Sequence, residues 1–492
     1  MLNIVIRTRQ GLRCSPATDY LCRTSGDEHM ARMNWDDLLT ARREKGKAVD
    51  EGGAARPFYD RNYDRILFSA SFRRLANKTQ VHPLYQNDNL HHRLIHSVEV
   101  GSVAQTLGYD VGLKLAEAGA IPSDQVARMA GITRAAALAH DIGNPPFGHS
   151  GEEAIGEWFA AKSARAADLW DALTPAQQAE FLAFEGNAQG FRILTRNEIY
   201  HPDLYENGEG MGLSGSVLAA FTKYPARAEV SRRAIDALGP DQVYCGLKKY
   251  GLFESSWAYF QQIAETVGLL RQSAGWGDYY CRHPLVFLVE AADDICYNIM
   301  DLEDAHTAGD LPFDRVRHLL VQVAGEGNDV ARLEGRPARL VSALRAKAIG
   351  RAVQACVEAF VTHYDAIMEG RFSGDLIGKS AYAGAFAEMK EVARREVFTV
   401  QRKTELEIYG RNLIHEILNQ LSDCLTALAR CGYDPQLFEE KERYSARLLR
   451  TVSFDLLGVR DAYTALQAMT DFVSGMTDRY AVHFVKMTKG GL

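Results

Sequence analysis

The 492-residue chain predicts a mainly α protein. Most of the sequence after residue 60 sets apolar residues at helical spacing, strand signals are sparse and short, and the breaks between apolar faces fall at Gly, Pro and Asn clusters. With 47% apolar residues the chain can bury one large core or two to three ordinary ones.

The elements follow in order. Residues 1–32 are polar and lack helical periodicity, so they predict a disordered extension or a misassigned start, with Met30 or Met33 as the natural one. MNWDDLLTARR from Met33 begins an amphipathic helix. In LIHSVEVGSVAQTL, Leu94, Val98, Gly101 and Ala104 form one face, widened by Ile95, Val103 and Leu107. Similar faces recur at 286–302, 338–367 and 411–430. Loops or insertions are predicted at 161–180, 200–212, 326–337 and 371–385.

Composition excludes several classes. A net charge of −7 argues against a surface that coats nucleic acid, while leaving room for a local anion-binding groove. The 8 cysteines show no C-x-x-C spacing and no dense framework, which predicts a reducing, cytoplasmic setting. No run approaches the roughly 18 apolar residues needed to span a membrane.

The chemistry concentrates in AAALAHDIGNPPFGHSGEEAI, residues 135–155. His140 and Asp141 close an apolar helical segment, with Gly143 suited to a left-handed cap and Pro145 barring continuation. Ser150-x-x-Glu153 reads as a capping box, which puts His149 just outside a new helix whose amide-rich start favours an anion. Upstream, Arg93 and His96 share one side of a helix. Downstream, Asp293, Tyr297 and Asp301 stack a carboxylate, a phenol and a second carboxylate along one stripe. Acidic groups in so apolar a helix need partners. A divalent metal held by two imidazoles and two carboxylates would supply one, and Mn²⁺, Co²⁺, Ni²⁺ or, less readily, Mg²⁺ suits that set.

DRILFSASFRRLANKTQV, HHRLIHSVEV, AHDIGNPPFGHSGEEA, FEGNAQGFRIL, FTKYP and RHPLVFLVEAADDICYNIMDLEDA occur together and in this order. On these motifs, over residues 34 to 490, the chain resembles the bacterial deoxyguanosinetriphosphate triphosphohydrolases of the HD-domain superfamily. The resemblance implies an HD-domain helical phosphohydrolase core over 33–310 and a helical C-terminal region over 311–492 that packs on the core and on neighbouring subunits. It implies His96, His140, Asp141 and Asp293 as metal ligands, His149 as the catalytic histidine and Glu152 as its acidic support. It further implies that Gln80 and Asp301 grip the sugar 3′-hydroxyl and that Tyr297 packs on the deoxyribose. Arg93, Lys223 and Tyr224 are implied as polyphosphate contacts, Asn187 as lining the same pocket, and Lys248 or Lys249 as a further contact.

The implied reaction is metal-dependent hydrolysis of a dNTP, dGTP among them, to deoxynucleoside and inorganic triphosphate by water attack at the α-phosphorus. A homo-oligomer, hexameric or smaller, is implied, with a dNTP effector or single-stranded DNA as further partners and Arg402 or Lys403 reaching a neighbouring subunit. The same residues leave two alternatives: another HD-type nucleotide phosphohydrolase or nuclease, and a dNTP-sensing or single-stranded nucleic-acid-binding protein. Taken singly, Arg73, Arg74 and Lys78 read equally well as a solvated basic face. Asp294, Glu303 and Asp304 read as salt-bridging groups, and His91, His92 and His283 as structural.

Overall fold

The computed structural model describes residues 31–43, 56–80, 91–162, 167–198, 210–327, 332–333 and 335–491. The extension predicted at 1–32 lies outside them except for Ala31 and Arg32, as does the predicted loop at 200–212 except for its last three residues. The regular secondary structure of the described residues is almost entirely helical. Their named strands form one antiparallel hairpin, β1 (Arg271–Ala274) with β2 (Gly277–Tyr280).

The helices that place the site are α1 (Arg93–Glu117), α2 (Gln125–Leu138), α3 (His149–Lys162), α4 (Pro175–Leu182), α5 (Gly186–Arg192), α6 (Pro284–Ala308), α7 (Gln401–Arg430), α8 (Ala462–Gly475) and α9 (Asp478–Thr488). His92 caps α1, its ring accepting from the Ile95 amide. Small residues then let α1 and α2 close on each other. A Cβ on Gly108 would fall 2.8 Å from Thr133 Oγ1 and 3.0 Å from Ala130 Cα, and one on Gly112 would fall 3.1 Å from Val126 Cγ1.

Among the described residues, two large apolar cores and a small third cluster around Val230 and Tyr279 result. The first joins α1, α2 and α6 and extends from Met33 to Val397. The second joins α3, α4, α7, α8 and α9 and includes Trp158, Phe181, Leu421, Leu466 and Phe484. The chain passes between them at residues 142–148.

That passage differs from the sequence reading in two ways. Gly143 does not take the left-handed conformation; the positive φ values fall at Phe147 (63°) and Gly148 (62°). Gly143 is needed for close approach instead, since a Cβ there would lie 2.1 Å from Gly186 O and 2.2 Å from Gly190 N. The second difference is that the new helix begins at His149 itself, so Ser150 sits in its first turn and not at its cap. A left-handed Phe147 is costly for a bulky residue. Its amide donates to Asp478 Oδ1 at 3.0 Å, and its ring fills the space left by Gly410 of α7.

The segment 161–180 also departs from its predicted loop character. Thr174 and Gln177 form a capping box with Pro175 at the first helical position, and α4 follows. The polar composition concealed an apolar face, Ala179 and Phe181, that packs into the second core.

Glu180 of α4 is buried and accepts from the Glu254 amide at 2.8 Å. Burial raises its carboxyl from 4.5 to about 8. The unfolded chain therefore loses this proton first, so stability held below about pH 4 is lost as pH rises toward 8. Thermal melts of the wild type should fall between pH 5 and 8 more steeply than those of Glu180→Gln. Parallel slopes would contradict the assignment.

Candidate metal and phosphohydrolase site

Four donors converge from three helices. His96 comes from α1, His140 and Asp141 from the turn after α2, and Asp293 from α6. Ligand atoms of His96, His140 and Asp141 lie within 4.8 Å of one another. Asp293 Oδ1 is 3.1 Å from His96 Nε2 and 3.5 Å from His140 Nε2. Exposure is low at His96 (3%), His140 and Asp141 (13% each) and higher at Asp293 (34%).

The residues fit a divalent cation. His140 Nδ1 lies 2.8 Å from the Ala137 carbonyl, which can only accept, so Nδ1 carries the hydrogen and Nε2 is the nitrogen whose lone pair a metal would take. That buried Nε2 has no hydrogen-bond partner. A buried nitrogen acceptor among carboxylates is costly unless something electrophilic meets it. Imidazole and carboxylate together suit a borderline or hard divalent ion.

Electrostatics keep the carboxylates ionised. Burial alone would raise Asp141, but Arg93, His140 and His96 outweigh it and hold the carboxyl at about 2. Burial likewise opposes ionisation of Asp293, and the two histidines again win. Arg93 Nη1 donates to Asp141 Oδ2 at 2.6 Å, and Asn144 Nδ2 donates to Asp141 Oδ1 at 2.5 Å.

His149 stands on α3, across the passage from these donors. Its side chain is 78% exposed, and Nδ1 lies 2.8 Å from Glu152 Oε2. The other oxygen of Glu152 accepts from the Gly186 amide at 2.7 Å, which ties the pair to α5. The bond to Glu152 raises the His149 pKa. Burial would raise Glu152, but His149 and Lys249 lower it. Glu152 thus remains an acceptor that orients the ring and leaves Nε2 toward solvent.

The other expected positions separate by environment. Gln80 Oε1 and Asp301 Oδ2 are buried acceptors with no partner. Burial pushes Asp301 up to about 8, the His96 charge working against it. Tyr297 is half-buried, its ring centroid 6.2 Å from that of Phe398. Lys223 pairs with Glu290 at 3.1 Å beside the buried Tyr224 ring, and Asn187 donates to Glu185. Of the two adjacent lysines, Lys249 meets Glu185 at 2.8 Å and bears on His149 and Glu152. Lys403 sits 3.7 Å from the Phe398 ring centroid within its own chain, and its charge acts on Asp301.

Lys78, read singly as a solvated cation, is buried, while Asp294, Glu303 and Asp304 form the expected ion pairs. Lys78 is 2% exposed and donates to Asn144 O at 2.7 Å and Ser474 O at 2.6 Å. Asp478 accepts from Thr79 as well as Phe147. Asp294 pairs with Lys390, Glu303 with Arg345 and Asp304 with His91. His283 is a buried cap of α6. No local pattern marks Lys78 or Asp478, because their partners lie 66 to 399 residues away.

A family model described as an HD domain matches residues 93–176, the stretch that carries His96 through Glu152. A deoxyguanosinetriphosphate triphosphohydrolase-like protein of Synechocystis sp. is 36% identical over 93% of this chain and 99% of its own length. The chain belongs to the deoxyguanosinetriphosphate triphosphohydrolase family of the HD superfamily. A protein of the same name from Pseudomonas aeruginosa (strain LESB58) is 38% identical over 93% of this chain and 99% of its own. The deoxyguanosinetriphosphate triphosphohydrolase of Yersinia enterocolitica is 27% identical over 92% of the chain and 98% of its own length. As a member of this family the protein is a hydrolase. Among its described residues no helix is long and apolar enough to cross a membrane.

Glu152 accounts for the raised pKa of His149, so replacing it should remove the shift. In histidine-labelled protein followed by NMR, His149 should titrate above the ordinary value near 6.5, and Glu152→Gln should return it toward that value. An unchanged titration in the variant would assign the shift elsewhere.

Proposed function

We propose that the protein hydrolyses dNTPs, dGTP among them, to deoxynucleoside and inorganic triphosphate, with water attacking the α-phosphorus. The observation that carries this reading is the pair of unpartnered buried acceptors, Gln80 Oε1 and Asp301 Oδ2, the second of which feels the charges of His96 and Asp293 in the proposed metal-donor cluster. A sugar 3′-hydroxyl is a donor that suits either acceptor. Similarity along nearly the whole chain to proteins named for this reaction supports it further.

His96, His140, Asp141 and Asp293 would hold the metal, which when bound supplies Lewis-acid polarisation of a phosphate oxygen and a lowered pKa for water. The chain's own residues do the rest. His149 carries its proton more firmly than an ordinary imidazole and presents Nε2, so it can protonate the departing 5′-oxygen. Glu152 keeps Nδ1 occupied and the ring aimed. Lys223, Arg93 and Lys249 place positive charge where triphosphate develops negative charge. The Tyr297 phenol, kept neutral chiefly by burial, would pack on the deoxyribose where a 2′-hydroxyl would clash.

Incubation with Mn²⁺ and each of the four dNTPs should release deoxynucleoside and triphosphate. His149→Ala should lower kcat by about 10²–10⁴ while binding Mn²⁺ as the wild type does. Pyrophosphate or monophosphate as the first inorganic product would reject the reading.

A further inference from the structure

Lys223 needs an explanation that its family position does not provide. A lysine carries a point charge on a flexible four-carbon stem, and fixing that stem costs rotamer entropy. Here three side chains fix it. Glu290 Oε1 is 3.1 Å from Lys223 Nζ, and Arg282 Nη1 is 2.9 Å from Glu290 Oε2. Arg282 also donates from Nε to the Lys223 carbonyl at 2.8 Å and from Nη2 to the Cys245 carbonyl at 3.1 Å. The guanidinium thus grips both the backbone of Lys223 and the carboxylate that holds its ammonium. The Tyr224 ring lies beside both cations, 5.7 Å from Lys223 Nζ and 5.5 Å from the Arg282 guanidinium carbon.

Placement gives this triad a direction. Glu290 is three residues before Asp293 on α6, hence on the same side of one rigid helix as a proposed metal donor. Exposure falls from Lys223 (30%) through Glu290 (15%) to Arg282 (2%), so the lysine is the member that reaches the open side. Charge adds the second half of the argument. Glu290 alone would neutralise Lys223, but with Arg282 the triad keeps one net positive charge.

We infer that Glu290 is a positioning residue that, backed by Arg282, aims the Lys223 ammonium at the phosphate chain of the substrate. The inference rests on the triphosphohydrolase reading for the identity of that chain and on the geometry of the triad for everything else.

The test separates positioning from bulk charge because the two predict opposite signs. Removing a carboxylate near an anion site should, by Coulomb's law alone, tighten anion binding. Losing the aim of Lys223 should weaken it. Inorganic tripolyphosphate, titrated calorimetrically into the full-length protein without metal, is the probe. Glu290→Gln should weaken its binding about tenfold, as expected for the loss of one charge-assisted contact. Lys223→Met should weaken it to a similar extent, and the double variant no further than Lys223→Met alone. Unchanged or tighter binding in Glu290→Gln, additive losses in the double variant, or no tripolyphosphate binding by the wild type would each overturn the inference. If Glu290→Gln does not fold, Glu290→Asp shortens the reach while keeping the charge that Arg282 needs, and it should also weaken binding. Turnover is not required, so a wild type that binds tripolyphosphate but cleaves no dNTP would reject the proposed function and leave this test standing.

Discussion

The short passage from Ile142 to Gly148 is the constraint on which the rest of the site depends. It joins two apolar cores, one carrying the proposed metal donors and the other carrying His149. Relative motion of the cores would separate these donors from the proposed acid. Three contacts of different kinds hold the passage: Lys78 on the Asn144 carbonyl, Asp478 on the Phe147 amide, and bare backbone packing of Gly143 on Gly186 and Gly190. Arg192 on Asp471 adds a buried bidentate ion pair between α5 and α8. The left-handed Phe147 is strain that the surrounding packing over-determines, as is common where a fold presents a functional group.

Charge is arranged with the same economy. Arg93, Lys223 and Lys249 are each held by a carboxylate: Asp141, Glu290 and Glu185. Such pairs are costly to bury and add little net stability. Their value lies in fixed direction. In the proposed reaction a polyanion would meet cations already oriented, so less reorganisation would accompany binding or the development of charge in the transition state.

Much of this was legible in the sequence, and the reasons are physical. Helical periodicity revealed α1, α6 and α7, although the face expected on α1 is shifted: Ile95 (41%) and Val98 (38%) are exposed, and His96, Val100, Gly101, Ala104 and Leu107 lie on the buried side. His96, His140, Asp141 and Asp293 were legible as a set only through the family resemblance; singly, a His-Asp pair at a helix end and acidic groups inside an apolar helix ask for partners without naming them. Other features were hidden for equally definite reasons. Gly143 looked like a helix cap, yet its role is set by Gly186 and Gly190, more than forty residues away. Lys78 looked like one of several surface cations, yet it is buried against Ser474. α4 was masked by a polar segment whose few apolar residues face a core assembled mostly from the C-terminal third of the chain. Contacts between distant segments leave no local signature.

The metal centre can be tested most directly by anomalous diffraction at the manganese edge from crystals soaked in Mn²⁺. One strong peak should appear at about 2.2 Å from His96 Nε2, His140 Nε2 and carboxylate oxygens of Asp141 and Asp293. A peak elsewhere, or coordination that omits His140 Nε2, would contradict the arrangement on which the proposed chemistry is built.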